Sequence, residues 1–243
     1  MSFERPIGPG VEAAVAPSPA EVQGLADGEV PTSAKLQILS TEHYSLMSSR
    51  ALAWNEAFSR AGMFLSTLSG SIVALALVAQ ASEFGEGFRV FGLVILPVVL
   101  LVGIGTVLRM GVANYHDALC VVGMNRIRAA YLEMAPDLER YFVMGTTDDE
   151  RGVSNTMATP PGTSLFVQMF GSAPMLLSVL NSILFGAILW LLALQLGMGT
   201  VIAIALAVVA FITGMLAFLW FARAQIGHAH AQLEPRFLSR SDG

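Results

Sequence analysis

Charge is scarce in this chain, and that scarcity excludes most soluble architectures. Asp, Glu, Lys and Arg make up 13 % of the 243 residues, while 54 % are hydrophobic. The charged share is about half that of an ordinary soluble domain, too little to cover a water-facing surface. Cysteine is nearly absent: Cys120 stands alone, which excludes an intramolecular disulfide and fits a reducing compartment. The net charge is −5 and no basic tail or stripe occurs, so a nucleic-acid footprint is excluded. The first 34 residues carry prolines, glycines and acids but no apolar core, so no cleavable signal peptide is visible. Residues 1–40 read as a disordered cytoplasmic tail. There is no nucleotide loop, serine elbow, zinc-protease helix or dinucleotide fingerprint. The expected protein is non-enzymatic, with no cofactor and no metal.

What is present is a set of long uncharged runs. A span needs about 20 apolar residues to cross roughly 30 Å of hydrocarbon. Residues 61–82 lie uncharged between Arg60 and Glu83, and residues 90–108 lie uncharged between Arg89 and Arg109. From Gly152 to Ala222 there is no ionisable side chain. Two glycines in "LGMGT", residues 196–200, mark a tight turn in that third stretch. It therefore divides into helices near 173–196 and 201–221, giving four spans. No span contains an ionisable residue, and such residues normally mark proton relays and coupled transport.

Direction follows from the basic residues. Four precede the first span, five lie between spans two and three, and three follow the fourth; the two short connections on the other side hold only Arg89. The positive-inside rule then places both termini and the central segment in the cytoplasm.

The first two helices overrun the membrane. Thr41 reads as an N-cap. From Glu42 to Leu65, Glu42, Ser45, Ser49, Glu56 and Arg60 share one face, while Met47, Ala51, Trp54, Phe58, Ala61 and Leu65 share the other. The second helix is expected to run to the residue before Pro136, with a short helix "PDLERYFVM" after it. Residues 41–136 thus form an antiparallel hairpin extended into the cytoplasm. Its stalk is expected to bury Trp54 and Phe58 against Ile127 and Tyr131. Residues 137–172 form a cytoplasmic helix and loop, 173–222 a second transmembrane hairpin, and 223–243 a cytoplasmic tail.

Several residues are candidates for function. Arg50, Trp54, Asn55, Glu56 and Arg60, with His116, Asn125, Arg126 and Arg128, form a candidate cytoplasmic interaction surface. The plainer account is a Glu56–Arg60 pair with Trp54 at the headgroups. His116 and Cys120, four residues apart, can share a metal, but two ligands are too few, and helix packing is the simpler role. "GTTDDER" and "HAH" are weak as metal signals, and the first reads as a solvated loop. Within the spans, Ser66 and Gly70 form a small-xxx-small pair. Ala203, Ala207, Ala210, Gly214 and Ala217 form a ridge, and Asn181 is a candidate for an interhelical hydrogen bond. Ser66, Gly70, Asn181 and Gly214 are therefore helix-packing or pore-lining candidates.

The segments "STEHYSLMSSRALAWNEAFSRAGMFLSTLSG" and "YHDALCVVGMNRIRAAYLEMAP" resemble uncharacterised bacterial membrane proteins with four spans. The layout of the first hairpin, about residues 40–136, loosely resembles SLATT-type effector domains, membrane hairpins with cytoplasmic helical extensions. That resemblance implies oligomers that form pores; the second pair of spans departs from it.

The sequence therefore predicts an all-α, polytopic protein of a bacterial inner membrane. Its expected partners are the lipid bilayer and either further copies of itself or a membrane complex. The leading functional expectation is an oligomeric, pore- or channel-like protein. The alternative is a structural or accessory subunit of a larger membrane complex.

Overall fold

The computed structural model describes residues 30–157, 171–232 and 235–239, with the backbone alone for 226–232. Among these residues there is no strand, and the fold is all-α. The helices are α1 (Thr32–Ser82), α2 (Glu86–Met134), α3 (Glu150–Thr156), α4 (Ala173–Gln195) and α5 (Thr200–Gln232), with a 3-10 turn at Pro136–Tyr141. The helices α1, α2, α4 and α5 are each long and apolar enough to cross a membrane.

Helix boundaries follow local chemistry. Pro136 ends α2, whose last residue is Met134, because a proline ring disfavours a helical residue before it. Helix α4 starts on Ser172, whose hydroxyl accepts the Met175 amide, with Pro174 in its first turn. It ends at Gly197, whose φ of +75° lets the Met198 amide reach back to the Ala193 carbonyl at 3.0 Å. At the first helix the expectation fails. Helix α1 begins at Thr32 rather than after Thr41, so residues 32–40 of the expected tail are helical. The Thr41 hydroxyl bonds the Gln37 carbonyl one turn back, at 2.9 Å, rather than capping. The remainder of that tail, residues 1–29, lies outside the described residues. Helix α5 likewise runs past the expected end near 221.

The chain divides into two units, residues 1–42 and 43–243. In the second unit, α1 and α2 run antiparallel around the turn at residues 83–85. Leu75 and Phe64 of α1 reach Gly92 and Gly103 of α2, and Leu46 reaches Gly123. This register corrects the expected stalk. Trp54 and Phe58 stack on each other at 5.4 Å, and Phe58 remains half-exposed. Tyr131 instead stacks against His43, more than two turns away on α1.

Helix α4 packs against both α2 and α5. The shared interior contains Phe64, Leu96, Val99, Leu177, Leu184 and Leu191. Close approach of α4 and α5 requires small residues. A methyl at Gly186 would meet the Ala207 carbonyl at 2.9 Å, and one at Gly214 would meet Ser182 Oγ at 2.7 Å. Ala203 and Ala210 of the same ridge are buried. Where lipid surrounds helices, such packing carries association, because lipid tails are as apolar as the side chains.

Candidate functional site

At the end of the hairpin away from the 83–85 turn, polar side chains are joined in an ordered sequence. Glu56 of α1 pairs with Arg109 of α2 and, at 3.2 Å, with Arg60 one turn along its own helix. The Arg109 hydrogen bond holds the Glu56 carboxyl below its ordinary value; burial opposes it, and the charge of Arg109 and the hydrogen bond and charge of Arg60 act with it. Further along, Arg50 grips Asp117 with both arms of its guanidinium, Nη2 lying 3.2 Å from Oδ2. Asp117 is buried and Arg50 about one-third exposed. A forked pair fixes relative position more tightly than a point charge, so these bonds set the register of α1 on α2.

Beyond Asp117, helix α2 is covered on two sides. Asn125 has no exposed surface. Its Nδ2 donates to the Thr147 carbonyl at 2.7 Å, and its Oδ1 accepts from Thr156 Oγ1 at 2.7 Å and Arg128 Nη1 at 2.8 Å. The amide thereby ties α2 to both ends of the segment 147–156. Arg126 pairs with Asp148 at 2.7 Å. Two glycines make the fold-back possible: a methyl at Gly145 would meet the Gly152 carbonyl at 2.2 Å, and one at Gly152 would meet the Thr147 carbonyl at 2.1 Å.

The two aspartates then hold a distant piece of chain. Asp148 accepts the backbone amides of Arg236 and Phe237 at 2.9 and 2.7 Å, and its own amide donates to the Phe237 carbonyl at 3.1 Å. Asp149 accepts the Ser239 amide at 2.9 Å and the Ser239 hydroxyl, while its other oxygen caps α3 through the Gly152 amide at 3.0 Å. Burial alone would raise the Asp148 carboxyl; the amides of Arg236 and Phe237, then Arg126, outweigh it and hold it below the ordinary range. Burial is likewise overcome at Asp149, where Ser239, the Gly152 amide and Thr147 hold the carboxyl well below that range.

"GTTDDER" is therefore no solvated loop. Asp148 is buried, and the oxygens of Asp148 and Asp149 face peptide amides, Arg126 and hydroxyls, while Glu150 is exposed. Among the described residues, no three His, Cys, Asp or Glu side chains stand together as metal ligands. The "HAH" side chains lie outside the described set. His116 and Cys120 approach at 3.6 Å. Burial pushes the Cys120 thiol up, and the Asp117 charge adds to this against the pull of Arg50, so the thiol is kept away from the reactive thiolate form.

The expected interaction surface is mostly turned inward. Among its residues only Asn55 and Arg60 are exposed; Asn125 is buried, and Arg50, Trp54, Glu56, His116, Arg126 and Arg128 are partly covered. Arg128 beside Arg50 has its pKa lowered, chiefly by burial and then by that second cation.

Among the span candidates, Gly214 packs against Ser182. Ser66 and Gly70 face outward, with nothing within 4 Å of a methyl placed at Gly70. Asn181 is buried beside Gly103, yet neither its amide oxygen nor its nitrogen has a hydrogen-bond partner among the described residues. Among the described residues it does not form the expected interhelical bond. The signal that sequence reasoning missed is the pairing of Asp148 and Asp149 with the 235–239 segment; the bracketing glycines 145 and 152 were its only local trace. No family model, no curated protein and no solved structure matches this chain.

Proposed function

We propose that the chain is a non-enzymatic, multi-pass protein of a bacterial inner membrane that works as an oligomer, joined to a second copy along the outer face of α1. One observation carries this reading. Tyr44, Ala51, Phe58, Leu65 and Ile72 recur every seven residues and all face outward, the four large ones between 40 % and 65 % exposed. Beside them runs a row of small or short side chains: Ser48, Asn55, Gly62, Ser69 and Ala76, also outward. A seven-residue apolar repeat is the seam of a left-handed pair of helices, and the small row allows backbones to approach. Nothing lies within 4 Å of a methyl placed at Gly62. Inside a bilayer, exposed apolar side chains need no protein cover, but the seam continues through Phe58 and Tyr44 on the charged side of Arg60, where lipid tails no longer serve.

The arginine distribution supports a cytoplasmic location for the stalk and both ends. The interior of the four helices is filled by Phe64, Leu96, Val99, Leu177 and Leu184, so a conducting path in this reading runs between copies rather than through one. Thr67 and Ser71, exposed or half-exposed on α1, bond their own helix carbonyls and leave lone pairs for such a path.

Disulfide cross-linking in native membranes tests the seam. Native Cys120 is buried, so Phe58→Cys and Ser69→Cys report with little background. Both should give covalent dimers, whereas Val94→Cys, on the lipid face of α2, should not. A monomer at every α1 position, or co-purification with a stoichiometric different protein, overturns the homo-oligomer and favours the accessory-subunit alternative. Flux from liposomes separately tests conduction; tight vesicles at high protein density count against a pore.

A further inference from the structure

We infer that the groove between α1 and α2 just past the spans seats the headgroup of an anionic glycerophospholipid of the cytoplasmic leaflet, with Arg60 and Arg109 on its phosphate. Its lining includes Ser49, Leu52, Glu56, Arg109, Val112 and His116, and its volume is about 250 Å³. That is below the range of sites for whole small molecules and fits a headgroup alone. The seat depends on the cytoplasmic stalk proposed above, and its depth follows from the chain itself. Arg60 and Arg109 close the first two uncharged runs, and Glu56 and Val112 lie four and three residues beyond them, about 6 and 4.5 Å along a helix. The headgroup layer is about 5–8 Å deep, so the groove opens into that layer.

Charge decides the occupant. Arg60 sets Nε and Nη2 on Glu56 Oε1, each at 3.2 Å, and Arg109 reaches the other carboxylate oxygen. Two guanidiniums thus share one carboxylate, which leaves one positive charge at the membrane end of the groove. Arg50 and Asp117, next along the hairpin, cancel each other. The Arg60 side chain is half-exposed and that of Arg109 about one-third exposed. A guanidinium has five N–H donors, so both keep donors for a ligand from outside. Its planar fork matches a phosphate, and basic pockets on the cytoplasmic side of spans take anionic headgroups. A zwitterionic headgroup would bring an ammonium against the surplus positive charge, and Glu56, already held by two arginines, has little left to offer it.

The test uses the full chain in an uncharged detergent, titrated with dioleoyl phosphatidylglycerol or dioleoyl phosphatidylcholine and read by native mass spectrometry. The phosphatidylglycerol should bind saturably, one per chain, at a lower mole fraction than the phosphatidylcholine. Arg60→Gln should raise its half-saturation roughly fivefold, the effect of one surface arginine on an anionic lipid. Leu52→Glu, at a side chain 71 % exposed, should weaken binding as much, and Leu52→Lys should not, which separates lost charge from lost fold. Arg223→Gln is the control. Arg223 is exposed on α5, where Phe221 and Gln225 meet Gly111 of α2, so it stands at the same depth outside the groove and should leave half-saturation unchanged. Equal binding of the two lipids, or equal losses in Arg60→Gln and Arg223→Gln, overturns the site. Displacement of the bound phosphatidylglycerol by an equal concentration of inorganic phosphate overturns the lipid as occupant. Placement is read apart: in intact cells Leu52→Cys should resist a membrane-impermeant maleimide until the membrane is opened. Labelling of intact cells overturns the cytoplasmic stalk, whereas a lost lipid preference with Leu52→Cys still protected overturns the headgroup site alone. Either failure leaves the α1 seam untouched, since that is read by cross-linking on another face.

Discussion

Asn125 is the residue on which the polar end of the hairpin depends. It makes three hydrogen bonds with no exposed surface, and its loss leaves the Thr147 carbonyl and Thr156 hydroxyl without their buried partner. Asn125→Ala should lower stability by about 2–3 kcal/mol, seen as a depressed midpoint of thermal unfolding in detergent; Arg140→Ala, on the exposed 3-10 turn, should change it little. In the sequence Asn125 is one polar residue on a helix, grouped with Arg126 and Arg128 as a candidate interaction surface. What periodicity cannot reveal is that this surface is covered. Asp148 is the same case: a pair of adjacent aspartates reads as solvated unless one knows that amides 88 and 89 positions later will turn toward it.

At the scale of the element, the four spans were legible because charge-free length is a local property and lipid imposes it. The register of α1 on α2 was not. A helical wheel assigns faces but says nothing of height, and height is set by Arg50 on Asp117, Glu56 on Arg109 and the seats at Gly92, Gly103 and Gly123. The apolar stripe read in the sequence divides: Met47, Ala51, Phe58 and Leu65 are exposed, Trp54 is partly covered, and Ala61 is buried with Ala57 and Phe64 at the inner position. The turn between the helices offers another prediction. Glu83 and Phe84 both adopt left-handed backbone, with φ of +49° and +57°, which costs a non-glycine residue roughly 1–2 kcal/mol. Phe84→Gly should recover part of that, set against the lost edge contact with Phe88, while Glu83→Gly gives up no such contact. Glu83→Gly should therefore raise the unfolding midpoint, by roughly 0.5–1 kcal/mol in stability.

For the whole molecule, the bonds to segment 235–239 make its attachment depend on pH in a predictable direction. Asp148 and Asp149 have pKa values below the ordinary 3.8. The folded form thus binds protons less readily than the open form, and the carboxylates contribute stability that is complete above that ordinary value and lost as pH falls through their folded values. Spin labels at Thr146→Cys and Leu238→Cys should report one short distance from pH 8 down to about pH 5 and a broad distribution only below about pH 4. In Asp149→Asn, whose neutral amide accepts more weakly, separation should begin at neutral pH.

Chain order gives that attachment a temporal meaning. Residues 235–239 emerge from the ribosome only after all four long helices have been made, yet Asp148 has its amide partners among them. Throughout synthesis of the second pair of helices, Asp148 has Arg126 beside it in the chain already made but not these two amides. The attachment of 235–239 to the fold-back therefore forms last, as a seal on a molecule whose helices are already in place.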